Sequence, residues 1–513
     1  MSNIRKGIDI KLKIKPVFVD FTHQYVYEGP CRFGQGDALT PEFDQMVSTE
    51  IYKSFVKTVN ENVPECVEVM EPVRVKGYTD EWIVNEDDME KILAPDDTDA
   101  YIITGSGRST QVTIEFARRC GKPLFFYNAV LFGISTETTA LRARGIECYP
   151  LYDWERGGQI MRAMQVKKAL ANTRALLINR FATDYSPVSA QDGFLCLEDV
   201  QKKLNFKYSM MDVHEFLDQL AVDRNCENPT TPGRMQQNLT SEDMKEVERI
   251  TDELIAGAVE CDMERENMIP SIKAYYLVKK LLDYRYCNAF SAPCPDMCST
   301  RRLNEERCTL CMTHSLLEEQ GIPSACEIDL NILICKIILE NLTRQATYMG
   351  NTCWFQMKDG KPVAPDFSAA LPEELAPLDE NDNLMVTLHS VANRKLKGYD
   401  AEKESYALRS FAFSGWGATM RYDFSKDADQ TVTVIRIDPK CEKMLVFRGI
   451  IKGQLGYKRQ NCSTAVVYEV ENAKKAYEKT CEFGSHMALV YGDYVDDLRA
   501  VCDVLGLEMV FCK

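Results

Sequence analysis

The sequence contains few histidines, few tryptophans and no long hydrophobic run. Its 513 residues include five histidines and four tryptophans, against 20 cysteines. No stretch approaches the roughly 18 apolar residues of a membrane span, so the sequence predicts no transmembrane helix. The N-terminus, MSNIRKGIDIKLKIKP, alternates basic with apolar residues and lacks the continuous apolar core of a signal peptide. We therefore expect a cytoplasmic protein.

Positive charge is also in deficit. The formal net charge is −16 at pH 7, because aspartate and glutamate outnumber lysine and arginine. Such a surface repels phosphate backbones and anionic lipids, so we expect neither nucleic acid nor a membrane as a partner. A small-molecule substrate is the partner that the composition leaves open.

The cysteines are spread over the chain, often inside apolar segments such as LNILICKII and EMVFCK. This is typical of reduced, buried thiols, and it favours a reducing cytoplasm such as that of an anaerobe. Five of them fall within 25 residues: Cys287, Cys294, Cys298, Cys308 and Cys311. A structural zinc or iron–sulfur site would suit these ligands, but their spacings are irregular and no fourth ligand can be chosen uniquely. We interpret them as buried thiols near a site.

Strand and helix patterns alternate over the first two thirds of the chain. Buried-strand segments such as AYIITG and ALLINRFA are separated by helical segments, which indicates parallel sheets with crossover helices. β-rich runs such as QTVTVIRI and TAVVYEV dominate the remainder. The predicted fold is α/β: two Rossmann-like α/β domains with parallel sheets, over residues 1–172 and 173–355, followed by a β-rich C-terminal domain over residues 356–513.

Two of the five histidines stand at the ends of predicted strands. His389 ends the segment LMVTLH, and His486 in GSHMALVYGD comes immediately before an apolar strand. A histidine at a strand end is well placed to face a cleft, and imidazole is a common metal ligand. The other three are His23, His214 and His314.

The segment SACEIDLNILICKII places two carboxylates at the head of an apolar helix. Asp329 in the first helical turn is explained by the helix dipole alone. Glu327 is flanked by Cys326 and Ile328, and a carboxylate in such apolar surroundings needs a cation or a proton. Glu327 is therefore a candidate catalytic residue or metal ligand.

The segments GIPSACEID, ATYMGNTCW, LMVTLH and GSHMALVYGD resemble landmarks of the L-fucose isomerase and L-arabinose isomerase superfamily. The resemblance spans most of the chain and agrees with the three predicted domains. It implies a divalent cation, usually Mn²⁺ although another divalent cation would also fit. By the resemblance, Glu327, Asn351 and His486 are the metal ligands, and Glu327 and His389 are catalytic.

The resemblance also implies contacts from other parts of the chain. Asp329 and Trp354 are assigned to substrate binding. Members of the superfamily are commonly hexamers, so we expect a homo-oligomer, a hexamer or a trimer. The N-terminal segment HQYVYEGPCR resembles a substrate-contact segment, and its Glu28 and Arg32 are candidates for contacts that one subunit supplies to its neighbour.

The chain departs from the superfamily pattern at one metal ligand. The position of one acidic ligand of the superfamily is occupied here by Asn351. Its amide oxygen can bind a metal but cannot accept a proton. The leading hypothesis is a manganese-dependent aldose–ketose isomerase that acts through an enediolate. The alternative is a metal-dependent hydrolase that opens the ring of a cyclic 1,3-diketone such as dihydrophloroglucinol, with metal-activated water as nucleophile and an enolate as leaving group. A non-catalytic carbohydrate-binding protein is the third hypothesis.

Overall fold

The structure is a computed structural model. It describes residues 4–20, 41–77, 79, 83–94, 96–105, 110–128, 131–180, 192–223, 238–363, 367–378 and 380–512. Residues 10–165 form one compact unit, and residues 1–9 together with 166–513 form the other. None of the helices in these described ranges has an apolar stretch long enough to cross a lipid bilayer.

The first unit contains a six-stranded parallel sheet. Its strands are β1 (Leu12–Val19), β2 (Val67–Val69), β3 (Val73–Val75), β4 (Ala100–Gly105), β5 (Leu124–Tyr127) and β6 (Cys148–Leu151). They pair in the order β2-β1-β4-β5-β6, with β3 also pairing with β1. Consecutive residues of the central strands, such as Ile102 and Ile103, are both buried, as expected for a parallel sheet covered on both faces. The helices are α1 (Pro41–Asn62), α2 (Glu86–Ile92), α3 (Thr110–Cys120), α4 (Leu131–Arg142) and α5 (Trp154–Ala171).

The second unit begins with a four-stranded parallel sheet of order β11-β10-β7-β8. Its strands are β7 (Arg174–Asn179), β8 (Lys207–Asp212), β10 (Ala289–Ala292) and β11 (Ser324–Cys326), and β9 (Glu260–Asp262) lies outside it. Helices α8, α9 and α12 bury their apolar faces in a core shared with β7 and β10. The helices of this region are α6 (Leu197–Leu204), α7 (Val213–Gln219), α8 (Ser241–Gly257), α9 (Arg265–Tyr284), α10 (Cys294–Cys298), α11 (Arg301–Glu306), α12 (Cys311–Glu318) and α13 (Leu330–Thr343).

The C-terminal part of this unit is built on a seven-stranded, mainly antiparallel sheet of order β18-β21-β12-β15-β20-β19-β22. Because β18 also pairs with β19, six of the strands form a closed ring, which leaves them no free edge. The strands of this region are β12 (Tyr348–Phe355), β13 (Met357–Lys358), β14 (Lys361–Pro362), β15 (Leu384–His389), β16 (Ala407–Ser410), β17 (Ala418–Arg421), β18 (Thr431–Ile437), β19 (Lys443–Leu455), β20 (Thr464–Glu469), β21 (His486–Tyr491) and β22 (Glu508–Cys512). The helices are α14 (Pro372–Leu375), α15 (Ala473–Phe483) and α16 (Val495–Leu505).

The predicted fold class is confirmed: two parallel sheets with helices precede a β-rich region. The domain organisation differs from the prediction. The compact units divide inside α5 and not at residue 172, and residues 173–355 and 356–513 belong to one unit. The predicted boundary at 355 falls after β12, which pairs with β15 and β21 of the C-terminal sheet. Asn351 therefore lies on the same sheet as His486, and not in the central α/β region.

Candidate metal centre

Glu327 lies in a tight turn between a strand and a helix. Strand β11 ends at Cys326, and α13 begins at Leu330. Glu327 and Ile328 both have positive φ angles, 62° and 53°. The amide of Asp329 donates across the turn to the Cys326 carbonyl at 3.3 Å. Positive φ is costly for a residue other than glycine, above all for β-branched isoleucine, and such strain is concentrated at functional sites.

This turn is at the carboxyl edge of the four-stranded parallel sheet, where ligands bind in open α/β sheets. The amide of Ile328 donates to the carbonyl of Ala292, the last residue of the neighbouring strand β10, at 3.0 Å. Shortly after Ala292 the chain enters α10, which carries Cys294 and Cys298. The strained turn and these two thiols therefore share one edge of the sheet.

Asp329 holds the turn from inside the protein. Its Oδ1 accepts the amide of Ile332 at 3.1 Å and so caps α13, while its Oδ2 accepts from Arg436 Nη1 at 2.8 Å and lies 3.0 Å from His486 Nδ1. Burial opposes ionisation, but Arg436 and His486 hold the pKa of this carboxyl well below its usual range. The side chain has no exposed surface. The predicted substrate contact is therefore replaced by an internal role, orienting His486.

Sequence reasoning missed Arg436. This residue lies on β18 and is fully buried. The one feature of the sequence that could have identified it is a charged residue within the otherwise apolar strand TVTVIRI. Besides Asp329, its guanidinium donates to the carbonyls of Phe483 at 2.6 Å and His486 at 2.9 Å. Arg436 thus neutralises Asp329 in the interior and ties it to the strand that carries His486.

His486 presents one ring nitrogen toward Glu327. Because ionised Asp329 can only accept a hydrogen bond, His486 Nδ1 carries a proton and donates it to that carboxylate. The other nitrogen, Nε2, is buried, has no hydrogen-bond partner among the residues that the structure describes, and lies 3.7 Å from Glu327 Oε2. Burial opposes the charged ring, yet the bond to Asp329 raises the pKa of His486, so a metal ion would compete with a proton for Nε2. Metal-binding histidines commonly have this carboxylate-backed arrangement.

His389 approaches Glu327 from a different strand. Its Nδ1 accepts the backbone amide of Ser390 at 3.0 Å, and burial lowers the pKa of the ring, so His389 is neutral with its proton on Nε2. That Nε2 lies 3.6 Å from Glu327 Oε1. In this tautomer His389 is a hydrogen-bond donor beside the carboxylate, which suits the predicted catalytic role better than metal ligation.

Gly350 allows β15 to bring His389 to this position. A Cβ atom at Gly350 would lie 2.4 Å from the carbonyl oxygen of Leu388, the residue before His389. No side chain fits in that space, so glycine is required for the close approach of the two strands. Gly350 also precedes the predicted ligand Asn351.

Asn351 is brought next to His486 by strand register. It lies directly opposite His486 on β21 and opposite Leu388 on β15. Residues opposite each other in an antiparallel pair have their side chains on the same face, about 5 Å apart at Cβ. The three residues therefore form one row across adjacent strands, and the half-buried amide of Asn351 is a neighbour of the imidazole.

The donor set fits a divalent cation. The ligand atoms of Glu327, His389 and His486 all lie within 4.8 Å of one another, and this is the one such group of acidic, cysteine and histidine side chains in the described part of the chain. The buried Nε2 atom of His486 has no protein partner there. Carboxylate oxygen, imidazole nitrogen and amide oxygen are ligands that Mn²⁺ and similar cations accept. Glu327, His486 and Asn351 could hold the cation, with His389 beside it.

The charge of Glu327 acts on two cysteine thiols, Cys298 of α10 and Cys462 of the loop before β20. The Sγ atoms of Cys294 and Cys298 lie 3.6 Å apart. The bond from Cys294, burial and the charge of Glu327 together raise the pKa of Cys298. Burial and the same carboxylate raise the pKa of Cys462 to about 11. These neutral thiols are weak hydrogen-bonding groups, unlike the donors and acceptors with which a site recognises substrate hydroxyls.

The remaining predicted site residues are not brought to this group. Trp354 is three positions after Asn351 on β12, hence on the opposite face of the strand, and its indole N–H donates to the carbonyl of Asp382 at 2.7 Å. Glu28 and Arg32 lie outside the described residues.

Comparison of the chain with protein-family models finds no match, and comparison with curated proteins finds none either. The superfamily resemblance of the sequence motifs therefore stays a prediction. The geometry around Glu327 is the basis for inferring a function.

Proposed function

We propose that the protein is a divalent-metal-dependent hydrolase that cleaves a carbon–carbon bond beside a carbonyl, opening the ring of a cyclic 1,3-diketone. The observation that carries this proposal is the single carboxylate of the site. Among the described residues, Glu327 is the acidic side chain that reaches the group of ligand atoms, because Asp329 is enclosed by Arg436 and His486. Where members of the superfamily have a second acidic ligand, this chain has Asn351, whose side chain is an amide.

Hydrolysis requires one general base for the attacking water and one hydrogen-bond donor for the carbonyl oxygen of the substrate, and the site contains both. A bound divalent cation would polarise the carbonyl and acidify a water molecule. Glu327 accepts a proton from that water as its oxygen bonds to the carbonyl carbon. His389 Nε2–H lies beside the Glu327 carboxylate. From there it can donate a hydrogen bond to the carbonyl oxygen of the substrate as negative charge develops on that oxygen. The ring C–C bond then breaks, its electron pair remains on the α-carbon as an enolate, and protonation of that carbon leaves a ketone and a new carboxylate.

The thiols beside Glu327 agree with such a substrate. A cyclic diketone offers carbonyl oxygens and an apolar ring, whereas a sugar offers a hydroxyl on nearly every carbon. A buried hydroxyl without a hydrogen-bond partner costs about 1–3 kcal/mol, so a thiol-lined wall disfavours a polyhydroxy substrate.

Aldose–ketose isomerisation is the second candidate, and one observation favours it. Glu327 and His486, two of the three metal ligands that the superfamily resemblance assigns, lie 3.7 Å apart, and the third, Asn351, is paired with His486 across β12 and β21. Glu327 would then move a proton between the two carbons next to the oxygens of the substrate. Mn²⁺ is the expected cation for either reaction.

Metal analysis of the purified protein, followed by mass-resolved incubation, tests the proposal. We expect about one equivalent of divalent metal, and products heavier than a cyclic 1,3-diketone such as dihydrophloroglucinol by one water. Isomerisation of a sugar would leave the mass unchanged in H₂O and exchange a C–H with solvent deuterium. Glu327→Gln should lose both metal and turnover, whereas Glu482→Gln, an exposed side chain on α15, should lose neither. Turnover and metal content both intact in Glu327→Gln would refute the proposal.

The expected homo-oligomer is part of the same proposal. Glu28 and Arg32 would contact the substrate from a neighbouring subunit, so activity should depend on assembly. Light scattering combined with activity measured across a dilution series tests this expectation.

A further inference from the structure

A cavity of about 610 Å³ lies next to the end of β15, the strand that carries His389. Its wall includes Leu388, which pairs directly with Asn351, and Asn351 in turn pairs with His486. Leu388, Asn351 and His486 thus form a row that leads from the cavity to the candidate ligands. Cys462 also lines the cavity, and its thiol is close enough to Glu327 to be affected by that charge. A molecule bound at the ligands could therefore extend into this space.

A hairpin loop, residues 456–463 between β19 and β20, forms one side of the cavity. Gly456 has φ +75°, and a Cβ atom there would overlap the Ser463 carbonyl. The amide of Asn461 donates to the carbonyl of Phe411 at 3.0 Å. Backbone hydrogen bonds of this kind fix the conformation of the loop, which lowers the entropy that its side chains lose when a ligand binds.

Arg421 holds the loop from beneath and adds a positive charge. It is fully buried on β17, and its guanidinium donates to the carbonyls of Arg459 at 3.0 Å and Asn461 at 2.9 Å, and to Thr464 Oγ1 at 2.6 Å. Its Nε is a buried donor without a hydrogen-bond partner among the described residues. Burial lowers the pKa of Arg421 to about 10, so the group is still a cation at neutral pH. Its charge is felt strongly in this region of low dielectric constant.

The side chains of the cavity combine cations with apolar surface and with four uncharged polar residues, Ser368, Gln460, Asn461 and Ser463. Lys458 and Arg459 line it, and none of the described lining residues is acidic. The nearest acidic contact of Lys458 is Glu373 at 3.7 Å, and both side chains are more than half exposed, so solvent screens this pair. The apolar part consists of Phe367, Leu388, Phe413 and Leu455. Phe413 is 79% exposed, so its ring is accessible to a bound molecule.

From this combination we infer that the cavity binds an organic anion with a flat apolar body, and that it selects the ionised form of a cyclic 1,3-diketone. The C–H between two ring carbonyls is acidic, so such a compound is an enolate near neutral pH. After binding, the carbon between the carbonyls takes a proton from water, which restores the diketone that is attacked in the hydrolysis, because the enolate itself is a poor electrophile. The cations at the hairpin attract the delocalised charge, and the apolar side chains contact the ring. The choice of a diketone rests on the proposed function, whereas the preference for an anion rests on the cavity itself.

Calorimetric titration with two matched probes tests the charge preference. Cyclohexane-1,3-dione ionises, but 2,2-dimethylcyclohexane-1,3-dione has the same ring and no proton between its carbonyls. We expect the ionised probe to bind at least about tenfold more tightly, since a hydrogen bond to a charged group is stronger than one to a neutral group. Its affinity should fall as NaCl is raised, and that of the neutral probe should not. Equal affinities for the two probes, or no dependence on salt, would overturn the inference.

Substitutions at the cavity test whether the ionised probe binds there. Lys458→Gln with Arg459→Gln should weaken binding of cyclohexane-1,3-dione about tenfold or more. The matched control is Lys443→Gln, which removes an exposed lysine paired with Glu508 outside the cavity and should leave the affinity unchanged. An unchanged affinity in the double variant contradicts the inference. If the double variant does not fold, the comparison of probes and salt in the unmodified protein still decides.

Anion binding in the cavity and ring opening at the metal centre can be tested separately. The cavity should still bind the ionised probe in His486→Ala, which lacks a metal ligand. Charge-dependent binding without any ring opening would support the cavity and refute the hydrolase. Ring opening with the same KM in the double variant as in the unmodified protein would support the hydrolase and refute the cavity.

Discussion

The Nδ1 atom of His486 lies 3.0 Å from Oδ2 of Asp329, a fully buried carboxylate that Arg436 also contacts at 2.8 Å. This contact determines which face of the imidazole is available. With its proton directed to Asp329, the ring turns its lone pair toward Glu327. One buried ion pair therefore orients a candidate ligand, caps α13 and holds the strained turn that carries the second ligand.

Replacing Asp329 by asparagine should damage both stability and metal binding. The substitution removes the closer of the two carboxylates beside Arg436 and leaves only the partly exposed Asp192, at 3.5 Å, to balance its buried charge, so we expect a loss of up to about 3–5 kcal/mol of unfolding free energy. It also removes the acceptor that orients His486, so Mn²⁺ affinity should fall about 10- to 100-fold. Urea denaturation and calorimetric Mn²⁺ titration measure the two effects.

The control for this substitution is Asp493→Asn. Asp493 pairs with Arg448 at 2.7 Å, but both side chains are about half exposed. We expect a loss of at most about 1 kcal/mol and an unchanged Mn²⁺ affinity. An Asp329→Asn protein that bound Mn²⁺ as tightly as the unmodified protein would contradict the assigned role of Asp329.

Replacing Asn351 by aspartate should tighten metal binding without accelerating hydrolysis. A second anionic ligand adds Coulombic attraction for the cation, but it also neutralises the charge that would activate the carbonyl. Asn351→Ala, the matched variant with no ligand atom at this position, should bind Mn²⁺ more weakly than the unmodified protein. Metal titration and turnover of a diketone provide the readouts. A sugar isomerase activity that appears or rises in Asn351→Asp would favour the second candidate reaction.

The sequence predicts part of this centre and not the rest, for physical reasons. The fold class follows from local periodicity, which the sequence shows directly, and Glu327 is recognisable because a carboxylate in apolar surroundings needs a partner. The pairing of Asn351 with His486 depends on strand register across 135 residues of chain, which local patterns do not specify. Arg436 could be seen as unusual in its strand, but its partner could not be named. The predicted boundary at 355 separates β12 from the strands with which it pairs, because strand pairing, unlike composition, is non-local.

Replacing Gly350 by alanine should impair catalysis more than metal binding. The new Cβ would lie 2.4 Å from the Leu388 carbonyl oxygen, so β15 must shift and displace His389. We expect a loss of about 1–3 kcal/mol in stability and a large fall in kcat, with Mn²⁺ still bound by Glu327 and His486. Gly158→Ala is the control, since it lies in α5 and its nearest new neighbour would be a side-chain end of Arg162 at 3.5 Å. A Gly350→Ala protein with full activity would show that His389 is not needed at its observed position.

Alkylation should distinguish the thiols near the centre from an exposed thiol. Cys481 is exposed, whereas Cys326 and Cys311 are buried. Burial raises the pKa of Cys308 to about 12, so this thiol is almost entirely protonated at neutral pH and is a poor nucleophile. Brief treatment with iodoacetamide and peptide mass mapping should find Cys481 labelled and these three unlabelled until urea is added. Rapid labelling of Cys308 in the folded protein would contradict the observed packing.

A buried pair of glutamates should make stability depend on pH. Glu340 and Glu318 are fully buried, the Nζ atom of Lys336 lies 2.9 Å from Glu318, and Tyr399 donates to Glu340 at 2.8 Å. Burial and the neighbouring Glu318 carboxylate raise the pKa of Glu340 well above its usual value. Glu340 is therefore protonated in the folded state, which leaves one anion and one cation in the cluster.

The sign of the pH effect follows from the proton that the folded state retains. The contribution of Glu340 to stability is complete below its unfolded-state pKa of about 4.3 and decreases as pH rises toward the folded-state pKa. A glutamine side chain at this position mimics the protonated acid and cannot ionise, so Glu340→Gln should gain stability relative to the unmodified protein as pH rises from about 4.5 to about 7.5. The gain is about 1.4 kcal/mol for each unit between the two pKa values, up to the pH of measurement. Urea denaturation at several pH values measures it, with Glu482→Gln on the surface as control. Parallel stability curves for Glu340→Gln and the unmodified protein would mean that Glu340 is ionised in the folded state.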